Sequence, residues 1–125
     1  MKILIIDDSW FAREAGKRKL KELGNPEIEF LEADGAQEGM NLFDQESPDM
    51  VITDLVMPDI RGEAVVEHIR AKSQNSFIVV CSANIQKRVQ DDVIERGADL
   101  FIKKPFNLES CQQLMATYQN KKNAS

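Results

Sequence analysis

The stretch KILIIDDSW, residues 2–10, contains a pattern that the rest of the chain repeats. Lys2–Ile6 is mostly apolar and is predicted as a strand, and two aspartates, Asp7 and Asp8, follow it directly. Ser9 belongs to the residue types that cap helices, and helical periodicity comes after it. An apolar strand with a polar end and a following helix is the repeating unit of α/β proteins.

The same unit recurs four times after the first helix, which is predicted to run to about Leu23 and to stop at Gly24-Asn25-Pro26. Further strands are predicted at residues 28–31, 50–53, 77–81 and 100–102. Further helices are predicted at residues 36–46, 63–72 and 85–96, and after the capping residue Asn107, with a loop at residues 54–62 and a frayed polar tail at residues 120–125. This alternation predicts parallel strands joined by right-handed crossovers, with helices on both faces of one sheet.

Size and composition restrict the class of protein. Residues 1–125 have the length of one globular domain, and 42% hydrophobic with 30% charged residues is typical of a soluble folded chain. The apolar runs are too short to cross a bilayer and no leader opens the sequence, so we expect a cytoplasmic protein with no membrane partner. The net charge of −5 argues against direct binding of nucleic acid, whose phosphates favour a basic face.

The cysteines and the histidine argue against several kinds of site. Cys81 lies in an apolar run and Cys111 in a helical pattern, so both are predicted to be reduced and buried, outside any disulfide or CxxC metal site. His68 is the single histidine, which argues against a histidine-rich metal site and against histidine-based catalysis.

The predicted strands end in acidic, hydroxyl and basic residues. In a parallel α/β sheet, ligands bind beyond the carboxyl ends of the strands. The residues at those ends are Asp7-Asp8, Asp54, Ser82-Ala83 and Lys103-Lys104-Pro105. Two carboxylates about 5 Å apart repel by roughly 3 kcal/mol at an effective dielectric near 20, so three of them need a positive partner. Mg²⁺ prefers oxygen ligands, Lys104 can add one more positive charge, and Asp54 can then act as a nucleophile toward a phosphoryl group.

The sequence resembles the bacterial two-component response-regulator receiver domain. The resemblance lies in these strand ends, in Met57-Pro58 and Gly62 after Asp54, and in Phe106 after Lys104-Pro105. The similarity extends over essentially the whole chain and is greatest to stand-alone regulators of the chemotaxis type. It implies a flavodoxin-like (βα)5 fold, a three-layer sandwich around a parallel five-stranded sheet of order 2-1-3-4-5. It also implies a signalling switch rather than an enzyme, with at most its own phosphorylation and dephosphorylation chemistry.

The resemblance implies a role for each acidic residue. Asp54 is expected to accept a phosphoryl group from a histidine kinase. Asp8 and Asp54 are expected to ligate Mg²⁺ through their side chains. Val56 is expected to add its backbone carbonyl, and Asp7 to act mainly through water.

The resemblance also implies which groups meet the phosphoryl group. Ser82 stands where the family has a hydroxyl that reaches the phosphoryl oxygen, with Ala83 beside it in the motif. Lys104, rather than Lys103, is expected to pair with the phosphoryl group because the family's lysine directly precedes its proline. Pro105 is expected to follow a cis peptide bond that aims this lysine.

Two residues depart from the pattern of many relatives. Phe101 occupies the aromatic switch position but has no hydroxyl, so it can act by packing alone or simply fill the core. Val56 is apolar where several fast members have a polar side chain that orients an attacking water, which predicts a longer-lived phosphoryl state. Trp10, just past the acid pair, fits either the rim of the site or a packed position.

A separate output protein is expected, because the chain has no room for an attached output domain, unless the sequence is a piece of a longer regulator. In this family helix 4, strand 5 and helix 5 commonly form the output face, although a solvated surface explains the charged fourth helix equally well. A phosphatase with an aspartyl nucleophile needs DxDx[TV] and a flavin carrier needs a Ser/Thr-rich loop, and residues 6–9 match neither. The main alternative is a pseudo-receiver that binds a protein without phosphorylation, but it would be expected to have lost Asp54, Asp8 or Lys104.

Overall fold

The computed structural model describes residues 1–23, 27–84 and 86–124. Within these ranges it contains five strands and five helices in alternation. The strands are β1 (Lys2–Ile6), β2 (Glu29–Ala33), β3 (Met50–Thr53), β4 (Phe77–Ser82) and β5 (Leu100–Lys103). The helices are α1 (Trp10–Glu22), α2 (Ala36–Glu46), α3 (Gly62–Lys72), α4 (Lys87–Arg96) and α5 (Leu108–Ala124).

The strands form one parallel sheet of order β2-β1-β3-β4-β5, which confirms the predicted fold class. Alternate residues of β1 enter opposite faces, so that Leu4 and Ile6 join one buried cluster and Ile3 and Ile5 join the other. Side chains of α2, α3 and α4 cover the first cluster, and side chains of α1 and α5 cover the second. Because both faces are covered, the central strands β1, β3 and β4 are apolar except at one end of each.

The ends of the helices follow the predicted caps. Ser9 Oγ accepts a hydrogen bond from the Ala12 N–H at 3.2 Å, and Asn107 Oδ1 accepts one from the Ser110 N–H at 2.8 Å. Gly97 ends α4 with a φ of 127°, a conformation that favours glycine. The predicted helix stop at Gly24-Asn25-Pro26, the predicted start of the fourth helix at Ile85, and Ser125 lie outside the described residues.

The predicted second strand is displaced. It covers Glu29–Ala33 rather than residues 28–31. The parallel register pairs the last residue of β1, Ile6, with Ala33, so β1 extends its neighbour two residues further than local sequence indicated.

The prediction of a frayed tail from Asn120 is wrong, because α5 continues to Ala124. Lys121 holds this last segment against the sheet. Its ammonium group donates to Asp99 Oδ1 at 2.9 Å and to the Ser76 carbonyl at 3.2 Å. The polar composition of the segment therefore did not indicate the tertiary contact that Lys121 makes.

Both cysteines are free and buried, as predicted. Burial raises the pKa of the Cys81 and Cys111 thiols to about 12. Within the described part of the chain, no helix has both the length and the apolar character needed to cross a membrane.

Candidate functional site

The pairing of β1 with β3 brings Asp7 and Asp54 to the same edge of the sheet. Ile6 and Thr53 are partners in the register, so the two aspartates follow adjacent strand ends. The backbone N–H of Asp54 donates to the Ile6 carbonyl at 3.0 Å. Asp7 is 5% and Asp54 9% exposed. The sheet thus holds two carboxylates where water screens their repulsion poorly.

Lys104 directly follows β5 and lies against these two carboxylates. Its ammonium group donates to Asp7 Oδ2 at 2.7 Å and to Asp54 Oδ2 at 2.8 Å. Its backbone N–H donates to the Ser82 carbonyl at 2.9 Å, and the Lys104–Pro105 peptide bond is cis, as the resemblance implied. Burial disfavours the charge of Lys104, but its hydrogen bonds to Asp54 and Asp7 outweigh burial and raise its pKa. Lys104 is therefore protonated at neutral pH.

Asp8 completes a group of three carboxylates. One oxygen from each of Asp7, Asp8 and Asp54 lies within 4.8 Å of the others, and Asp8 itself is exposed. Three carboxylates and one ammonium group leave two negative charges uncompensated. An oxygen set of this charge fits Mg²⁺, which binds through one or two carboxylates and keeps several waters. These three aspartates are the side chains that would hold the ion.

The two oxygens of the Asp54 carboxylate have different surroundings. Oδ1 accepts hydrogen bonds from the backbone N–H of Leu55 at 2.7 Å and of Val56 at 3.4 Å. Oδ2 faces Lys104. The Val56 side chain is 74% exposed, so it offers neither a polar group nor a cover to the site.

Gly62 closes the loop after Asp54, and the structure shows a physical reason for its place in the motif. Its N–H donates to the Leu55 carbonyl at 3.0 Å. A Cβ atom at Gly62 would lie 2.2 Å from the Asp54 carbonyl oxygen and 2.7 Å from Leu55 Cα. Because both neighbours are backbone atoms, a larger residue at this position would displace the aspartate.

The other predicted residues lie around this centre. Ser82 is 2% exposed, and its hydroxyl oxygen accepts a hydrogen bond from the Asn84 N–H at 3.1 Å. In the described part of the chain, no hydrogen bond joins this hydroxyl to the acid cluster. Phe101 is partly buried against the core beneath α2, α3 and α4, and Ala83 and Lys103 are exposed.

A cavity of about 370 Å³ opens beside the acid cluster, between α1 and the segment before α5. One end is polar, whereas small α1 side chains and the Phe106 ring form an apolar wall. The residues that line it include Asp7, Ala12, Ala15, Gly16, Asp54, Cys81, Ala83, Lys104, Pro105 and Phe106.

Two exposed aromatic side chains begin α1. Trp10 is 57% and Phe11 79% exposed, and their rings meet edge to face with centroids 5.1 Å apart. Trp10 is therefore not packed into the core. Sequence reasoning missed Phe11, because two adjacent apolar residues of a helix can both face the core, as Val65 and Val66 of α3 do.

Comparison with known proteins identifies the family. The sequence model described as response regulator receiver domain matches residues 3–116. The chain belongs to this family. The receiver domain is 33% identical to the chemotaxis protein CheY of Listeria monocytogenes, in an alignment of 109 residues that covers 87% of this chain and 90% of the relative. It is 32% identical to the chemotaxis protein CheY of Bacillus subtilis, in an alignment of 108 residues that covers 86% of this chain and 88% of that protein.

A solved structure agrees with the fold of this receiver domain. The CheY-like response regulator receiver domain protein from Methanospirillum hungatei matches with a TM-score of 0.88 and 21% identity, over 99% of this chain and 98% of that one. At this identity the match bears on the fold alone. The family model and the two relatives confirm the predicted resemblance to response-regulator receivers of the chemotaxis type.

Proposed function

We propose that this receiver domain is a phosphorylation-dependent signalling switch. Asp54 accepts a phosphoryl group with the help of Mg²⁺, and the phosphorylated domain binds a partner protein with altered affinity. The observation that carries the proposal is the charge of the site. Asp7, Asp8 and Asp54 lie together, and Lys104 compensates only one of their three charges. A divalent cation fits this deficit.

The chemistry needs an ionised carboxylate and a way to compensate the charge that arrives. An Asp54 oxygen forms a bond to phosphorus while the bond from phosphorus to the donor's imidazole nitrogen breaks, and the imidazole keeps the electron pair and takes up a proton. Mg²⁺, when bound, neutralises phosphoryl oxygens during in-line transfer. Lys104 has three N–H donors, of which Asp7 and Asp54 occupy two, so one remains for a phosphoryl oxygen.

The switch follows from the charge that Asp54 gains. A phosphoryl group adds about two negative charges and strong acceptor oxygens. The Ser82 hydroxyl oxygen accepts from Asn84, which leaves its own proton to donate to phosphate. One hydrogen bond to a charged group contributes roughly 1.5–3 kcal/mol, whereas a full swing from 1:99 to 99:1 needs about 5.5 kcal/mol. Lys104, Mg²⁺ or the partner supplies the rest, and the partly buried Phe101 repacks as Ser82 moves.

The partners are two proteins. A histidine kinase serves as the phosphoryl donor, and a separate output protein binds the face formed by α4, β5 and α5. The two relatives named chemotaxis proteins support this kind of pathway. We place the domain in the cytoplasm, without direct contact to nucleic acid in view of its net charge of −5. It is not an enzyme toward other molecules, and its chemistry is limited to its own aspartyl phosphate.

Incubation with acetyl phosphate and MgCl₂, followed by intact mass measurement, tests this function. We expect one labile phosphoryl adduct on the wild-type protein, lost when EDTA replaces MgCl₂ and absent from Asp54→Asn. Asp91→Asn, which removes an exposed acid on α4, serves as the matched control and should react like the wild type. A wild type without an adduct, or an adduct on Asp54→Asn, would overturn the proposal. The first result would favour the pseudo-receiver.

A further inference from the structure

The amino terminus of α2 is capped by a residue from a distant loop. Gly35 occupies the N-cap position and has no side chain that could accept hydrogen bonds from the free N–H groups of the first turn. Asp59 takes that role. Its Oδ1 accepts a hydrogen bond from the Ala36 N–H and its Oδ2 one from the Gln37 N–H, both at 3.0 Å.

The space around Gly35 matches this contact. The φ of Gly35 is −156°, which any residue adopts, so the backbone conformation does not demand glycine. A Cβ atom at Gly35, however, would lie 3.2 Å from Asp59 Oδ1 and 3.3 Å from Oδ2. Hydrogen bonds from the backbone N–H groups of Gln37 and Ala36 also hold the pKa of Asp59 below its usual range. Glycine at residue 35 thus leaves room for a carboxylate that is ionised at neutral pH.

Asp59 belongs to the loop that carries the phosphorylation site, residues 54–61. It lies three residues after Val56 and three before Gly62. Gly62 fixes the far end of this loop by its close contact with the Asp54 backbone. Asp59 fixes the middle of the loop to α2. The segment from Asp54 to Asp59 is therefore held at both ends, and Val56 lies inside it.

We propose that Asp59 is a positioning residue for the metal site: its carboxylate ties the phosphoacceptor loop to α2 and so holds Asp54 and the Val56 backbone for Mg²⁺. The inference rests on the proposed function, because it concerns the same ion. It adds a residue that touches neither the metal nor the phosphoryl group. The hydrogen bonds that Asp59 accepts from Ala36 and Gln37 constrain Val56 through the two residues between them, Met57 and Pro58.

The test compares four variants of the full chain. Asp59→Ala removes the tie, and Asp59→Asn keeps one oxygen acceptor and should restore part of the effect. Gly35→Ala crowds the carboxylate without changing any charge. Asp34→Ala is the matched control, because it removes an exposed charge directly before Gly35 and leaves Asp59 in place.

Two readouts are needed, namely the Mg²⁺ dissociation constant by calorimetry and amide hydrogen exchange in Mg²⁺-free protein by NMR. We expect Asp59→Ala to weaken Mg²⁺ binding about tenfold, the lower end of what outer residues of metal sites contribute. We also expect the Leu55 and Val56 amides, which donate to Asp54 Oδ1, to exchange faster. Gly35→Ala should shift both readouts in the same direction, and Asp34→Ala neither.

The outcomes separate the two proposals. If Ala36 and Gln37 alone exchange faster while Leu55, Val56 and Mg²⁺ affinity are unchanged, Asp59 is only a helix cap and the inference is overturned. An Asp34→Ala variant that loses as much affinity as Asp59→Ala would also overturn it, since charge alone would then explain the loss. A wild-type protein that binds no Mg²⁺ would instead overturn the proposed function, and the metal part of the inference with it.

Discussion

The two edges of the sheet each carry a cluster of charged side chains, and the clusters differ in how their charge is satisfied. At the amino-terminal edge, Asp99 Oδ2 accepts hydrogen bonds from Arg70 at 2.9 Å and from the Ile78 N–H at 2.8 Å. Its Oδ1 accepts one from Lys121 at 2.9 Å. Both carboxylate oxygens are therefore bound by protein donors.

Arg70 and Lys121 carry one positive charge more than Asp99 balances, and other groups of the protein accept hydrogen bonds from these cations. Arg70 donates to backbone carbonyls that end α3 and precede β4 and β5. These carbonyls belong to Ser73, Gln74, Ser76 and Gly97. Such a network joins elements to one another and leaves little for a ligand to add.

At the carboxyl-terminal edge the balance is different. Lys104 binds Asp7 and Asp54, but Asp8 is exposed, and two negative charges remain uncompensated. The type of residue therefore does not distinguish the two clusters. They differ in whether protein groups balance the charge, as around Asp99, or leave it uncompensated, as around Asp8.

The largest effect is expected from disrupting the charged cluster around Asp99 at the amino-terminal edge. Arg70→Ala should lower the free energy of unfolding by about 3 kcal/mol, because it leaves Asp99 and several carbonyls short of donors in a half-buried place. Urea denaturation measures this. Arg88→Ala, which removes an exposed arginine on α4, is the control and should leave the midpoint nearly unchanged. Equal midpoints for the Arg70→Ala variant and the wild type would contradict the structural role.

A change of opposite sign is expected at the other edge. In the absence of Mg²⁺, Asp8→Asn should raise the free energy of unfolding by about 1 kcal/mol, because it removes repulsion from a cluster with excess negative charge. It should also lose the added stability that Mg²⁺ gives the wild type by binding the folded state.

Urea denaturation with and without MgCl₂ checks both expectations for Asp8→Asn. Glu95→Gln, an exposed acid on α4, controls for the change in net charge. A variant less stable than the wild type in EDTA would show that Asp8 is already satisfied by the protein.

The smallest effect concerns the lifetime of the phosphoryl group. Val56→Asn should speed dephosphorylation about threefold, or ~0.7 kcal/mol in barrier height, because a polar side chain next to Asp54 can orient an attacking water. Val56→Ala, which changes size without adding a polar group, is the control. The rate of decay of the adduct by mass measurement is the readout, and an equal or slower rate for Val56→Asn counts against the prediction.

The fold was predictable because its decisive signals are local. Apolar runs such as Ile3 to Ile6 mark strands buried on two faces, and caps such as Ser9 and Asn107 mark where helices begin. The convergence of Asp7, Asp54 and Lys104 was also predictable, because carboxyl ends of parallel strands share one edge.

What the sequence did not reveal depends on contacts between distant residues. The end of α5 is set by Lys121 reaching Asp99, and polar composition alone predicted a frayed tail. The tie between Asp59 and the amino terminus of α2 joins residues 23 apart in sequence. The available signal was the glycine directly before the predicted helix at residues 36–46, since a helix without a local cap needs its donors satisfied elsewhere.

A crystal structure grown with MgCl₂ and beryllofluoride tests the central claim most directly, namely that the uncompensated charge at the carboxyl-terminal edge forms one site for a cation and a phosphoryl group. We predict beryllium bonded to a carboxylate oxygen of Asp54, Mg²⁺ held by Asp8 and Asp54, and the Lys104 ammonium group on a fluorine atom. A structure in which neither carboxylate oxygen of Asp54 bonds beryllium, and the ions bind elsewhere or do not bind, would contradict the account.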